Sequence, residues 1–137
     1  MSSSKTVSPD KFAVALGGMF SDIEWKLTTN LEQPVTEACK AARKKAASTD
    51  AGTPAFKNRT GVYRKSFAYK LDKKGRYEAF GYVGNRKKPG LVHLLEKGHA
   101  TMNGGRTRAF PHMEPGAREG EKVLIREAER MAEEALL

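Results

Sequence analysis

The stretch "VYRKSFAYKLDKKGRYEAFGYVG", residues 62–84, decides the fold class. Its first part places aromatic residues in rough alternation at Tyr63, Phe67 and Tyr69, and its second part returns to the same alternation after the turn-forming tetrapeptide "DKKG". A period of two on both sides of a short turn predicts an antiparallel β-hairpin. Because aromatic residues fall on both faces of this hairpin, we expect both faces to be covered.

A long helical pattern precedes the hairpin. Ser8 and Pro9 suit the N-cap and the first position of a helix. Apolar residues then recur at steps of three or four from residue 12 into an alanine-rich segment that ends near residue 47. Pro34 lies within this pattern, so we expect a kink or a break near Leu31.

Shorter patterns follow the hairpin. "LVHLLEKG" predicts a short helix that Gly98 ends, and "AFPHM" is compatible with a short edge strand. The segment "EPGAREGEKVLIREAERMAEEALL", residues 114–137, predicts a final helix, with an apolar stripe at Leu124, Ala128, Met131 and Ala135. The sequence therefore predicts one α+β domain over residues 1–137, in which a long N-terminal helix and a C-terminal helix pack on a small antiparallel sheet. Residues 1–7 are predicted to be disordered.

The positive charge is concentrated in the middle of the chain. The net charge is +9, and residues 37–76 alone hold twelve Lys/Arg against three Asp/Glu. Such a segment attracts phosphate or an acidic protein surface, although it can also be an ordinary solvated face. The residues expected to face DNA or an acidic partner are Lys40, Arg43, Lys44, Lys45, Lys57, Arg59, Lys73 and Lys74.

The chain carries three histidines and one cysteine, and their spacing does not favour a metal site. His93 and His99 are six residues apart, whereas a helical zinc site places two ligands four residues apart. The three histidines, His93, His99 and His112, are expected to be surface or half-buried residues with local hydrogen bonds. Cys39 is expected to be a small buried residue on a helix. We therefore predict no metal and no cofactor.

No segment predicts catalysis. The sequence contains no nucleophile elbow, and the carboxylates are too dispersed for a metal-dependent nuclease. "NGGR", residues 103–106, lacks the Lys-Ser/Thr and the strand–loop–helix context of a P-loop. No apolar run reaches the ~20 residues that span a bilayer. We expect a protein without catalytic residues that contacts no membrane and lies in the cytoplasm where it is made.

Two segments form a recognisable pair of motifs. The first, "PAFKNRTGVYRKSFAYKL", has Pro, Thr-Gly, a basic residue and Ser before a strand, and the second, "HLLEKGHATMNGGRTRAFPHMEPGARE", has Glu-x-Gly-His, a loop and Arg-Ala-Phe-Pro before a helix. The matching positions are Pro54, Thr60, Gly61, Tyr63, Arg64, Ser66, Leu95, Glu96, Gly98, Arg108, Phe110 and Pro111. After a long N-terminal helix, this pair resembles the head–tail joining or tail-completion (neck) proteins of long-tailed bacteriophages.

The resemblance implies a structural virion protein without enzymatic activity. It implies a homo-oligomeric ring, expected to be a hexamer, around the path of the DNA. Its neighbours would be the connector or portal-side proteins and the tail tube or tail terminator proteins, with transient non-specific contact to passing DNA. Such a protein is in the host cytoplasm during assembly and then in the virion neck or tail.

The resemblance also gives roles to particular residues. Thr60, Gly61 and Ser66 would shape the junction between loop and strand, and Glu96 would pair with an arginine such as Arg108. Residues 99–108 would be a mobile loop that docks onto a neighbour, with His99, Asn103, Gly104, Gly105 and Arg106 as its contact residues. The alternative is a DNA-binding protein, regulatory or associated with packaging, that uses residues 37–76.

Overall fold

The computed structural model describes residue 6, residues 8–48 and residues 62–137. These residues form five helices and one two-stranded sheet. In chain order they are α1 (Pro9–Thr29), α2 (Glu32–Ala47), α3 (Val62–Lys65), β1 (Phe67–Lys74), β2 (Glu78–Asn85), α4 (Pro89–Lys97) and α5 (Met113–Leu136). The α+β class predicted from the sequence is confirmed.

The N-terminal helical pattern is divided into α1 and α2, as Pro34 led us to expect. The helix α1 begins at Pro9 after the Ser8 N-cap, whose Oγ accepts a hydrogen bond from the backbone N–H of Lys11. The chain leaves the helix after Thr29 and resumes it at Glu32. Pro34 then lies in the first turn of α2, where a backbone N–H has no helical partner in any case.

The contact between α2 and α5 depends on small residues. A Cβ atom built on Gly116 would lie 2.9 Å from the carbonyl oxygen of Ala42 and 3.1 Å from Cβ of Ala46. One built on Gly120 would lie 3.0 Å from Cβ of Ala42 and 3.1 Å from the carbonyl oxygen of Ala38. The two helices therefore approach closely through alanine on one side and glycine on the other.

The strands β1 and β2 pair in an antiparallel register that runs from Phe67 opposite Asn85 to Lys74 opposite Glu78. Helix α2 covers one face of this hairpin: a Cβ atom on Gly81 would lie 2.3 Å from Sγ of Cys39. Phe80 and Tyr82 remain exposed. The expectation that both faces are covered is therefore wrong for this chain taken alone.

Three local predictions need correction. Tyr63 lies in the short helix α3 and not in the first strand, which begins only at Phe67. The segment "AFPHM" forms no strand, and its last residue, Met113, begins α5. The buried residues of α5 are Gly116, Gly120, Val123 and Ala135, whereas Leu124 and Ala128 are exposed. Glycine at the helix contact, which a hydrophobicity count does not score, explains this shift of the stripe.

The core is small and lies where α2, α3, β1 and α4 meet. Ala46, Tyr63 and Phe67 are buried at its centre, and Val92 and Leu95 of α4 pack against them. Cys39 is buried on α2, as predicted. Across the described part of the chain, the helices are too short or too polar to span a membrane.

Candidate functional site

The carboxylate of Glu96 caps the N-terminus of α5. Its Oε1 accepts hydrogen bonds from the backbone N–H groups of His112 (2.9 Å) and Met113 (2.8 Å), and its Oε2 accepts one from Glu114 (3.1 Å). Burial raises the pKa of Glu96, but these hydrogen bonds outweigh burial and hold the pKa below its usual value. Glu96 thus joins α4 to α5 across the intervening loop.

We predicted an ion pair between Glu96 and Arg108, and this prediction is wrong. The guanidinium carbon of Arg108 instead lies 5.8 Å from the centroid of the Phe110 ring, which is a cation–π contact. Glu96 still fixes the end of the loop, but it does so through backbone groups of α5. A carboxylate at the positive end of a helix is also favoured by the helix dipole.

His112 is the most deeply buried side chain at this site. It is 1% exposed and lies against Tyr63 and Phe67, with ring centroids 5.6 and 5.8 Å from its own. Its Nδ1 faces two acceptors, the carbonyl oxygen of Phe110 at 2.8 Å and Oε1 of Glu96 at 3.1 Å. Nδ1 therefore carries the hydrogen. In the neutral tautomer, Nε2 accepts the hydrogen bond of the Tyr63 hydroxyl, at 2.6 Å.

This histidine was predicted to be a surface or half-buried residue, and that prediction is wrong. Its partners lie on α3, on α4 and in the loop before α5, and its position in the sequence does not reveal the first two. Burial, followed by the nearby charge of Glu96, raises the pKa of Tyr63 to about 12. The Tyr63 hydroxyl therefore stays protonated and remains the donor over the whole neutral range.

Asn85 links α3 to the end of β2. Its Nδ2 donates to the backbone oxygen of Tyr63 at 2.6 Å, and its Oδ1 accepts from the backbone N–H of Lys88 at 2.9 Å. Ser66 holds the same junction, because its hydroxyl donates to the oxygen of Val62 and its own carbonyl accepts from the N–H of Arg86. The resemblance implied a bond of this kind, from Ser66 to a backbone group just before the strand. Asn85 and His112 were not predicted as functional residues; a lone asparagine at the end of a strand gives little signal.

Together these residues form a buried polar cluster: Tyr63, Ser66, Asn85, Glu96 and His112. A carboxylate, a histidine and a hydroxyl that are joined by successive hydrogen bonds can serve as a proton relay in an enzyme. Here the hydroxyl belongs to Tyr63, which is 5% exposed, so no substrate reaches it. Among the described residues, no three His, Cys, Asp or Glu side chains are grouped so as to hold a metal ion. The cluster is suited to join the two sequence motifs mechanically.

Several motif positions outside this cluster lie in the described part of the chain. Gly98 ends α4 with φ of +71°, and a Cβ atom there would lie 2.5 Å from the oxygen of Thr107. Leu95 packs against the core, and its backbone oxygen accepts from the N–H of Phe110 at 2.6 Å. Arg64 lies in α3. Pro54, Thr60 and Gly61 are outside the described residues, as are Lys57 and Arg59.

The predicted docking residues lie together on an exposed hairpin loop. An isolated bridge pairs Ala100 with Arg106, and backbone hydrogen bonds join Thr101 to Gly105 and Thr107 to His99, both at 2.8 Å. All residues from 99 to 108 are exposed. Between the bridged residues, the structure therefore brings Asn103, Gly104 and Gly105 to the tip of this loop. Its mobility and its docking role stay predictions.

The predicted basic residues fall into separate groups. Lys40, Arg43 and Lys44 lie on one side of α2, and with residues of α3 and of the loop after β2 they line an open basic groove. Lys45 is half-buried and lies nearer to α5. Lys73 and Lys74 lie at the far end of β1, and the Lys74 ammonium is 5.4 Å from the Phe80 ring centroid. The loop residues Arg86 and Lys87 were missed as site residues, although "NRKKPG" is visibly basic.

Helix α1 presents an apolar surface that the described chain leaves uncovered. Every residue from 11 to 20 is exposed, including Phe12 (59%), Met19 (61%) and Phe20 (62%), which share one side with Leu16. Val14 and Trp25 are exposed on roughly the opposite side. Only the C-terminal part of α1 is anchored, for example by the hydrogen bond from the Tyr77 hydroxyl to Glu24.

A comparison with protein-family models, curated proteins and solved structures gave no significant match. The likeness to phage neck proteins therefore depends on the two sequence motifs alone.

Proposed function

We propose that this chain is a non-enzymatic virion protein that completes the tail of a long-tailed phage or joins the tail to the head. In this proposal the chain assembles with copies of itself into a ring around the path of the DNA. The observation that carries it is the uncovered apolar surface of α1. Monomeric soluble proteins rarely expose several large apolar side chains along one helix, and such surfaces mark sites of protein association.

The arrangement of this surface supports a repeating assembly. The stripe of Phe12, Leu16, Met19 and Phe20 lies on one side of α1, and Val14 and Trp25 lie roughly opposite. A helix with apolar side chains on two sides can be covered by two different neighbours. In a ring, each subunit meets its two neighbours through two different surfaces, which is the requirement of a heterologous interface.

The buried polar cluster supports the same proposal. It joins the residues of both motifs, so that the exposed loop at residues 99–108 projects from a fixed base. A loop with a fixed base and an exposed tip is suited to dock onto a connector, tail tube or tail terminator protein. The absence of an accessible acid–base group in the cluster fits a structural role.

The test uses the parent phage. A nonsense mutation in this gene should give DNA-filled heads beside separate tails in negative-stain electron micrographs, and the wild-type gene on a plasmid should restore joined particles. A plasmid carrying Phe20→Asp should not restore them, because a charge in the α1 stripe opposes apolar contact. Ala117→Asp places the same charge on an exposed position of α5 and should restore them. Intact, infectious particles from the nonsense mutant would overturn the proposal.

A second candidate is a DNA-binding protein, regulatory or associated with packaging, and the basic groove is the observation that favours it. A regulatory protein must prefer particular sequences, which requires side chains that reach base edges. Selection of bound fragments from a random duplex pool separates the two candidates. Enrichment of one sequence would favour the regulatory protein, and an unchanged pool would favour the neck protein.

A further inference from the structure

The basic groove is formed by three separate segments of the chain. Lys40, Arg43 and Lys44 come from α2, Arg64 and Lys65 come from α3, and Arg86 and Lys87 come from the loop after β2. Two adjoining depressions make up the groove, and Arg43, Lys65 and Phe67 line both. No carboxylate is found among the described residues that line either depression.

Four cations of the groove make no ion pair with the described residues, and a fifth makes only an exposed one. Lys40 lies 3.6 Å from Glu37, and both side chains are largely exposed. Within the described ranges, Lys44, Lys65, Arg86 and Lys87 have no carboxylate oxygen within 4.0 Å. Like charges gathered in this way favour an anion in the groove.

The buried polar cluster holds two of the three segments of the groove in place, α3 and the loop after β2. Asn85 ties α3 to the strand that precedes Arg86, and the N–H of Arg86 donates to Ser66 next to Lys65. On α2, the guanidinium of Arg43 lies 5.1 Å from the centroid of the Tyr69 ring, which restricts its orientation. A groove whose walls are fixed before binding loses less conformational entropy when a ligand binds.

We propose that this groove binds the phosphodiester backbone of double-stranded DNA without reading its base sequence. Phosphate contacts need only donors and positive charge, which the groove supplies from seven side chains. A protein partner would need an apolar or aromatic anchor at the centre of the interface. The one aromatic residue shared by both depressions, Phe67, is buried, and none of the large apolar side chains that are exposed in the described part of the chain lines either depression. This chemistry favours DNA over an acidic protein surface.

The inference deepens the proposed function and rests on it for the source of the DNA, which would be the DNA that passes through the ring. The binding itself is a property of the purified chain. It can therefore be measured without phage assembly, and its failure would leave the nonsense-mutant result unaffected. Conversely, binding by the groove would stand even if the neck protein proposal failed.

The experiment measures binding of fluorescent duplexes of two unrelated sequences by anisotropy, between about 50 and 200 mM salt. The test variant carries Lys44→Gln, Lys65→Gln and Lys87→Gln. The control variant carries Lys11→Gln, Lys97→Gln and Lys122→Gln, which are also exposed and remove the same charge elsewhere. Circular dichroism establishes that each variant is folded, and single substitutions replace any triple variant that is not.

The wild type and the control should bind both duplexes alike, and the test variant should bind at least tenfold more weakly. The slope of log K against log salt should also become shallower by about 0.9 for each lost phosphate contact. Equal losses in the test and control variants would overturn the proposal, since bulk charge would then explain binding. No binding at low salt, or preferential displacement of DNA by polyglutamate, would also overturn it, and the latter would assign the groove to an acidic protein partner.

Discussion

Oε1 of Glu96 lies 2.9 Å from the backbone nitrogen of His112 and 3.1 Å from Nδ1 of the same residue. One carboxylate oxygen therefore meets both the backbone and the side chain of the residue that precedes α5. Both residues belong to the second motif, and His112 contacts Tyr63 of the first. The stability of the fold should accordingly depend on this contact more than on surface ion pairs.

The Glu96→Ala substitution should lower the free energy of unfolding by about 2 kcal/mol. It removes the acceptor of three backbone N–H groups at the start of α5, and those groups would be left partly buried without that partner. Urea denaturation followed by circular dichroism measures the change. Glu129→Ala, on an exposed part of the same helix, should change the free energy by less than about 0.5 kcal/mol. Equal losses in the two variants would show that Glu96 is not a cap.

The pKa of Glu96 predicts an acid-sensitive contribution to stability. Because the pKa is lower in the folded state than its ordinary value of 4.5, the unfolded state binds a proton more readily. The contribution is complete above pH 4.5 and is lost as pH falls through the lower, folded-state pKa. The free energy of unfolding should fall less between neutral and acidic pH in Glu96→Gln than in the wild type. A parallel pH profile in wild type and variant would contradict this.

The hydroxyl of Tyr63 should stabilise the fold by about 1–3 kcal/mol, because Tyr63→Phe leaves Nε2 of the buried His112 without that donor. The exposed Tyr82→Phe serves as the control in the same urea experiment and should have little effect.

The raised pKa of Tyr63, about 12, predicts how its contribution to stability depends on pH. Stability from Tyr63 is complete below the ordinary value of 10.0 and is lost as pH rises towards 12. Tyr63→Phe should therefore show a weaker loss of stability at alkaline pH.

Two glycine substitutions should have opposite effects, because Gly120 lies at the close contact between α2 and α5 and Gly18 lies in open space on α1. Gly120→Val should lower the free energy of unfolding by about 1–3 kcal/mol, because its Cβ already meets Ala42 at 3.0 Å and the larger side chain forces the helices apart. Gly18→Ala on α1 should raise it by up to about 1 kcal/mol, since nothing lies within 4 Å of that position and alanine favours a helix. Thermal unfolding compares the two. Stabilisation by Gly120→Val would show that the helices are farther apart than described.

The sequence predicted the elements of this fold better than it predicted their contacts. Periodicity and turn chemistry located α1, α2, the hairpin, α4 and α5, and Pro34 located the break between the first two helices. The α5 stripe was wrong because Gly116 and Gly120 form the buried side of that helix, and glycine carries no hydrophobic signal. The strand at Tyr63 was wrong because its alternation with Phe67 and Tyr69 does not exclude one helical turn at the start.

At the candidate site, too, the sequence identified residues better than it identified their contacts. Glu96 was identified from its motif, but its partner was not, since the choice between Arg108 and the backbone of α5 depends on how α4 meets that helix. The sequence predicted a local hydrogen bond for His112, and the bond to Phe110 is local, but the two partners that accompany its burial, Glu96 and Tyr63, lie 16 and 49 residues away in the chain. The basic groove was only half found: composition identified the α2 residues, and the fold added Lys65, Arg86 and Lys87 to them.

The exposed loop should matter for assembly and not for folding. The guanidinium of Arg106 donates hydrogen bonds of 3.4 Å to the backbone oxygen of Gly98 and 3.5 Å to that of Lys97, and both distances are at the long limit of such bonds. Arg106→Ala removes them. The free energy of unfolding should therefore change by less than about 0.5 kcal/mol. Deletion of residues 103–106 should likewise leave the helices folded, because no core residue lies in that stretch.

Under the proposed function, both variants should fail to join heads to tails when they are supplied to the nonsense mutant of the parent phage. Arg126→Ala, an exposed arginine of α5, should restore joined particles. Normal joining by the deletion variant would show that the loop does not dock, whereas a large loss of stability would show that its role is in the fold.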